Sequence, residues 1–185
     1  MAALLGGFAR YHERMGKPIE AMPIGMPISL RPGQTAMGGN RFAGARFAAP
    51  VGTTDPVERM QRVREQVLSA RDEPALNFAA LITPVLNRIP TPIVTRWYLG
   101  QSSGLDLQAS NVAGIPSPVY MAGAEIVRMF PFGPLPGCAV MATLVSHVGV
   151  CCIGVNVDLA AVTEPDTFMQ CLGEGLDEVL AVGRA

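Results

Sequence analysis

The sequence predicts an α/β (α+β) fold, a mixed β-sheet with helices packed on it. Three observations predict it. A helical opening segment leads into two apolar runs of strand character. A proline-broken helical middle gives way, from Leu105 onward, to a valine-rich series of short strands. The chain then closes on a long segment of helical period.

Residues 2–15 form the first predicted helix. Leu4, Leu5, Phe8 and Tyr11 or His12 recur at helical spacing, Gly16 supplies a C-terminal stop and Pro18 lies just beyond. Residues 21–30 read as a strand whose prolines suit a sheet edge, because proline lacks the N–H that a central ladder needs. Residues 31–39 are a glycine-rich loop, and 41–50 a second strand anchored by Phe42 and Phe47. The clearest helix starts at Asp55, a capping residue, with Pro56 at the first helical position and Glu58 completing a capping-box pattern. Its buried stripe is Val57, Met60, Val63 and Val67, and its charges Arg59, Arg62, Arg64 and Glu65 are expected on a solvated face.

Pro84, Pro90 and Pro92 divide the next stretch into short helices at 76–82, 84–89 and 92–99, with Trp97 and Tyr98 as aromatic anchors. Strands are expected at 105–112, 118–121, 124–132, 137–145 and 148–157, the last two joined by a turn at 146–149. The final helix, 164–182, begins at Thr163 or Glu164 with Pro165 in its first turn. It buries Phe168, Leu172, Leu176 and Val179 to Leu180, and leaves Asp166, Glu174, Asp177 and Glu178 in water.

Composition bounds the function classes. Hydrophobic residues make up 49% and charged residues 16%, below the roughly 25% charged of an average domain. Much apolar surface must therefore be hidden in a core or against a partner. A formal net charge of -1 gives no electrostatic footprint for nucleic acid. The 10 methionines suit irregular apolar packing, or a lipid-facing surface. The 4 cysteines lack metal-ligand spacing and read as buried free thiols of a reducing, cytoplasmic setting, with no metal site. No signal-peptide pattern opens the chain, and the longest apolar run, 138–155, is interrupted by Ser146, His147 and Gly149, which fits two strands better than a membrane span.

Few residues could carry chemistry. The 2 histidines, His12 and His147, stand apart, one on a helix and one in a turn. No nucleophile elbow and no phosphate loop occurs. Asp106 and Asp158 are single carboxylates. Two segments stand out. Gly39-Asn40-Arg41-Phe42 delivers Asn-Arg from a loop onto a strand. Ser110-Asn111-Val112-Ala113-Gly114 ends a strand in two polar residues and a turn. Ser and Asn there can stabilise a developing oxyanion, or shape the turn.

These two segments resemble the Gly-Asn-(Arg/Gln)-Phe and Ser-Asn-Val-Pro-Gly-Pro segments of the bacterial wax ester synthase/diacylglycerol acyltransferase family. An Asp-Pro-Val-Glu-Arg helix follows the first, as in the family. Tyr120-Met121-Ala122-Gly123-Ala124 and Phe130-Pro131-Phe132-Gly133-Pro134 resemble its later glycine and aromatic-proline stretches. Ala113 and Ile115 stand where proline is frequent. The resemblance implies that residues 1–185 are a single C-terminal lobe of a CoA-dependent acyltransferase fold, forming one wall of a tunnel. It implies Asn40, Arg41, Ser110, Asn111 and Gly114 as substrate-binding residues. It implies acyl-CoA and diacylglycerol or a long-chain alcohol as substrates, with no cofactor.

The family's His-His-x-x-x-Asp-Gly motif belongs to an N-terminal lobe and is absent from this sequence. No turnover is therefore expected from this chain without a partner lobe. A non-catalytic lipid-binding or interaction module, with peripheral contact to a membrane or lipid droplet, is the alternative. A weaker one makes His147 the base of an unrelated transferase.

Overall fold

A computed structural model describes residues 1–29, 42–72, 88–102, 104–135 and 137–184. In chain order the elements are α1 (Ala2–Arg14), β1 (Ala21–Ser29), β2 (Phe42–Pro50), α2 (Pro56–Arg71), α3 (Thr91–Ser102), β3 (Leu105–Ala113), β4 (Tyr120–Met121), β5 (Ala124–Glu125), β6 (Cys138–His147), β7 (Val150–Val157) and α4 (Pro165–Val182). Five strands form one mixed sheet in the order β2-β1-β3-β6-β7, and β4 and β5 form a separate two-stranded ribbon. The outer pairs β1/β2 and β6/β7 are antiparallel, and the inner pairs β1/β3 and β3/β6 are parallel.

Alternation along the strands decides which face is the core. Met22 and Ile24 on β1, Leu107 and Ala109 on β3, and Val140 and Ala142 on β6 are buried on one face. Helices α1, α2 and α4 cover that face with Leu5, Phe8, Val63, Phe168 and Cys171. Phe8 and Tyr11 both form T-shaped pairs with Phe168, at centroid distances of 5.0 and 5.1 Å.

Helices α1 and α4 run in opposite directions, with Ala3 against Gly175, Gly7 against Leu172 and Tyr11 against Phe168. Their backbones approach so closely that a Cβ on Gly7 would lie 2.7 Å from Leu172 Cα, and one on Gly175 2.6 Å from Gly7 N. Helix ends follow local sequence. Asp55 accepts the Glu58 N–H at 2.8 Å. Gly16, at φ 69°, closes α1 in a Schellman motif, with Gly16 N–H donating to Glu13 O and Lys17 N–H to His12 O, both at 2.9 Å.

Several expectations change. β1 is not an edge strand, since it lies between β2 and β3; it tolerates Pro23 and Pro27 because its ladder to β3 is only Ile24–Leu107 and Gly25–Gln108. Strand pairing at 118–121 and 124–132 shrinks to the short ribbon β4–β5, turned by Ala122 and Gly123 at positive φ. Beyond it, residues 126–135 lie as a strap across the second face of the sheet, with the Pro131 carbonyl against Gly154 and Gly133 against Met141 and Thr143. β6 runs through His147, so Val148 and Gly149 make the turn.

Val57 is exposed whereas Arg59 is buried. Cys138, Cys152 and Cys171 are buried free thiols, but Cys151 is exposed because it alternates with Cys152. The expected helix at 76–82, most of that at 84–89, the loop at 31–39 and the side chains of Phe42, Trp97 and Tyr98 lie outside the described residues.

Candidate functional site: an apolar groove under two helices

Toward one end of the layer between sheet and helices, the two surfaces part and leave a groove of about 510 Å³. Its floor is the sheet: Met26 on β1, Ala109 and Asn111 on β3, Leu144 on β6, and Ile153 and Val155 on β7. Its roof is Ala3 and Leu4 of α1 with Met169, Leu172, Gly173 and Leu176 of α4. The α4 residues fall at i, i+3, i+4 and i+7, one helical stripe. Next to it runs the stripe Phe168, Cys171, Leu172 and Gly175, which is sealed against the core. The expected single buried stripe through Leu172, Leu176 and Leu180 is therefore divided: Leu176 borders the groove and Leu180 is exposed.

Two residues singled out in the sequence meet here. Asn111 pairs in register with Leu144, whose side of the sheet faces the groove, so the amide is a polar group on an apolar floor. It is exposed, at the mouth. Ser110 also borders the groove, but it pairs with Thr143 in the opposite phase of the pleat and so reaches the groove through its backbone. Gly114 is not on the lining. A Cβ there would collide with the carbonyl of Ser146, so this glycine lets the chain leave β3 close over the end of β6. Asn40 and Arg41 lie outside the described residues. Sequence reading missed the roof, above all Met169 and Gly173; the only signal was the second i, i+3, i+4 stripe on the last helix.

The histidines do not join the groove lining. His147 is buried, with Nδ1 2.8 Å from the Ile115 carbonyl and Nε2 2.9 Å from the Ile126 carbonyl. A carbonyl only accepts, so a ring nitrogen that carries a proton donates to its carbonyl, and the ring sits between the two ends of the segment that carries β4 and β5. It is not the free polar turn residue its sequence position suggested. His12 packs its ring against Tyr11. Burial pushes the Asp106 carboxyl above its ordinary range, and the charge of His12 opposes this. Asp158 accepts the Ala160 N–H at 2.9 Å and shapes the turn after β7.

Charge is concentrated elsewhere. Arg59 is 1% exposed and runs between helices to Glu178 at 2.7 Å, with the carbonyl of Thr54 at 3.2 Å. Gly6 makes room for its guanidinium. Glu178 also takes Arg10 at 3.0 Å, and Glu174 takes Arg14 at 2.8 Å. Arg59 was expected in water and is buried instead, and Glu178 is part-buried. Glu174 stays at the surface as expected, and together these ion pairs tie α2 and α1 to α4. The hydrogen bond from Arg14 holds the Glu174 carboxyl below its ordinary range. Burial pushes the Cys171 thiol up, with Arg14 opposing.

The mixed sheet with helices on one face has solved counterparts. The wax ester synthase/diacylglycerol acyltransferase from Marinobacter aquaeolei VT8 superposes with TM-score 0.64 at 18% identity, over 98% of this chain and 42% of that one. A condensation domain that mediates chain release from the enacyloxin polyketide synthase superposes with TM-score 0.57 at 14% identity, over 97% of this chain and 35% of that one. The fold is that of CoA-dependent acyltransferases and condensation domains.

Sequence narrows the class. Residues 38–179 match the model of the WS/DGAT C-terminal domain. A candidate diacylglycerol O-acyltransferase of Mycobacterium tuberculosis H37Rv is 46% identical over 182 residues, 98% of this chain and 37% of that protein. A second from the same organism is 28% identical over 153 residues, 79% of this chain and 33% of that protein. The chain belongs to the wax ester synthase/diacylglycerol acyltransferase family, in its C-terminal domain. It spans 37% of the length of the M. tuberculosis relative that it matches over 182 residues. Among the described residues, no helix is long and apolar enough to cross a membrane.

Proposed function

We propose that this chain is the C-terminal lobe of an acyl-CoA-dependent O-acyltransferase that makes triacylglycerol or wax ester. The groove would hold the alkyl chain of a substrate. Its acceptor is diacylglycerol or a long-chain alcohol, and no cofactor takes part. A general base removes the proton of the acceptor hydroxyl, the oxygen attacks the thioester carbonyl, and the C–S bond breaks to release CoA, whose sulfur takes up a proton.

The base comes from a histidine-bearing N-terminal lobe, because His147 is committed to two carbonyls. Asn111, at the groove mouth, is placed to hydrogen-bond a polar head at the end of an alkyl chain. Asn40, Arg41, Ser110 and Gly114 keep the tunnel-shaping or substrate-contacting role that the family resemblance implies, Gly114 by shaping the end of β3 rather than by lining the groove. The setting is cytoplasmic, with peripheral contact to the membrane or lipid droplet into which such substrates partition.

The observation that carries this reading is the groove itself, apolar on floor and roof with an amide at its mouth. The purified chain should release no CoA from palmitoyl-CoA in the presence of diacylglycerol or hexadecanol, and should gain ester synthesis when a His-His-x-x-x-Asp-Gly lobe is co-expressed. CoA release coupled to ester formation by the 185-residue chain alone would contradict the proposal. The pre-formed groove also favours a second reading, a lipid-binding module without catalysis. Acyl-chain binding that never converts to turnover with the added lobe would select it.

A further inference from the structure

Gly173 is a glycine that helix packing does not require. It lies within α4, where glycine weakens a helix through its backbone freedom. Gly175, on the same helix, has no such choice, because a Cβ there would strike the backbone of α1. At Gly173 a Cβ would meet nothing within 4 Å, and the residue's φ lies outside the left-handed region, so alanine or a larger residue fits the backbone without strain. Yet the position lines the groove roof, between Leu172 and Leu176 and on the stripe with Met169. The residue is itself exposed, so a side chain added at 173 would stand at the groove's open edge and narrow it there.

We infer that Gly173 is a specificity-determining residue: its missing side chain sets the width of the groove, and so the length and bulk of the alkyl chain the groove accepts. The inference rests on the groove's being the alkyl site proposed above. Of the other roof residues on this stripe, Leu172 is buried and Met169 is unbranched and adaptable, whereas residue 173 contributes no side chain at all. An unobstructed groove favours long saturated chains, since each buried methylene contributes roughly fourfold in affinity.

The test is displacement of a fluorescent C18 polyene fatty acid from the purified chain by saturated fatty acids of C8 to C18. It is run on the unaltered chain, G173A and G173L. The unaltered chain should bind with affinity rising to C16. G173L should weaken C16 by about fifteenfold, the equivalent of two methylenes, and leave C8 within about twofold. G173A should fall between the two and melt at a higher temperature than the unaltered chain, which separates groove width from fold stability. A G173L profile that parallels the unaltered one at every length overturns the inference and leaves the groove assignment standing. No displacement from the unaltered chain overturns both. If G173L loses its cooperative melting transition, G173A decides by the same comparison.

Discussion

The layer between the sheet and its helices has a sealed half and an open half, built from the same two helices. In the sealed half, Gly7 and Gly175 bring α1 and α4 into backbone contact, and Phe8, Tyr11 and Phe168 fill the space beside them. In the open half, the neighbouring stripe of α4 stands off the sheet over a groove. The two halves differ in what closes them, not in how apolar they are. Where glycine meets backbone, the helices lock; where glycine meets space, the apolar wall stays exposed. An apolar groove of this size is costly to leave open unless something else occupies it, so the sealed half must supply the stability that lets the open half exist.

This contrast breaks most sharply at the crossing. Gly175→Val places two methyl groups where α1 backbone already sits, and should cost about 3 kcal/mol. Urea unfolding should show a lower midpoint with an unchanged slope. The same change at residue 173 should leave the midpoint near that of the unaltered chain.

The ionic tie is next in size. Arg59→Met keeps the bulk but strands the buried end of the knot. Breaking a fully buried pair costs about 3–5 kcal/mol. Glu178 is part-exposed and retains Arg10, so a loss of about 2 kcal/mol is expected. An Arg59→Met variant as stable as the unaltered chain would show that Arg59 serves something other than helix docking.

The smallest effect is a pH limb. Glu174 has its folded value lowered by the Arg14 hydrogen bond. Its contribution is therefore complete above the unfolded value of about 4.5 and lost as pH falls through the lower folded value. Melting temperatures of the unaltered chain and Glu174→Gln should differ at pH 6 and converge toward pH 3. Equal differences at both pH values would remove the pair from the account.

Much of this architecture was legible in the sequence. The Asp55–Pro56–Glu58 start of α2 and the Gly16 stop of α1 are local devices, and local chemistry fixes them. The strands at 105 and 138 follow from apolar alternation. Less legible were residues whose role depends on a distant neighbour. Arg59 reads as solvated because nothing nearby in sequence announces Glu178, 119 positions away. Residues 126–132 have strand composition, but Pro131 and its neighbours cross the sheet face instead of joining its edge. Of the site, Ser110 and Asn111 were visible as polar residues ending a strand. The roof was not, because a glycine at the edge of a helical stripe carries no signal until the space beneath it is seen.

The clamp at His147 has one more consequence, in chain statistics. β3 ends at Ala113 and β6 begins at Cys138, and everything between must return to its neighbour strand. By pinning Ile115 to Ile126, the imidazole divides that long excursion and isolates a loop of less than half its length. Each halving of a flexible loop lowers its closure cost by roughly 0.6 kcal/mol. A single ring thus lets the protruding ribbon behave as a short hairpin on a fixed base, so its tip can vary in length and sequence without changing the register of the parallel strands behind it.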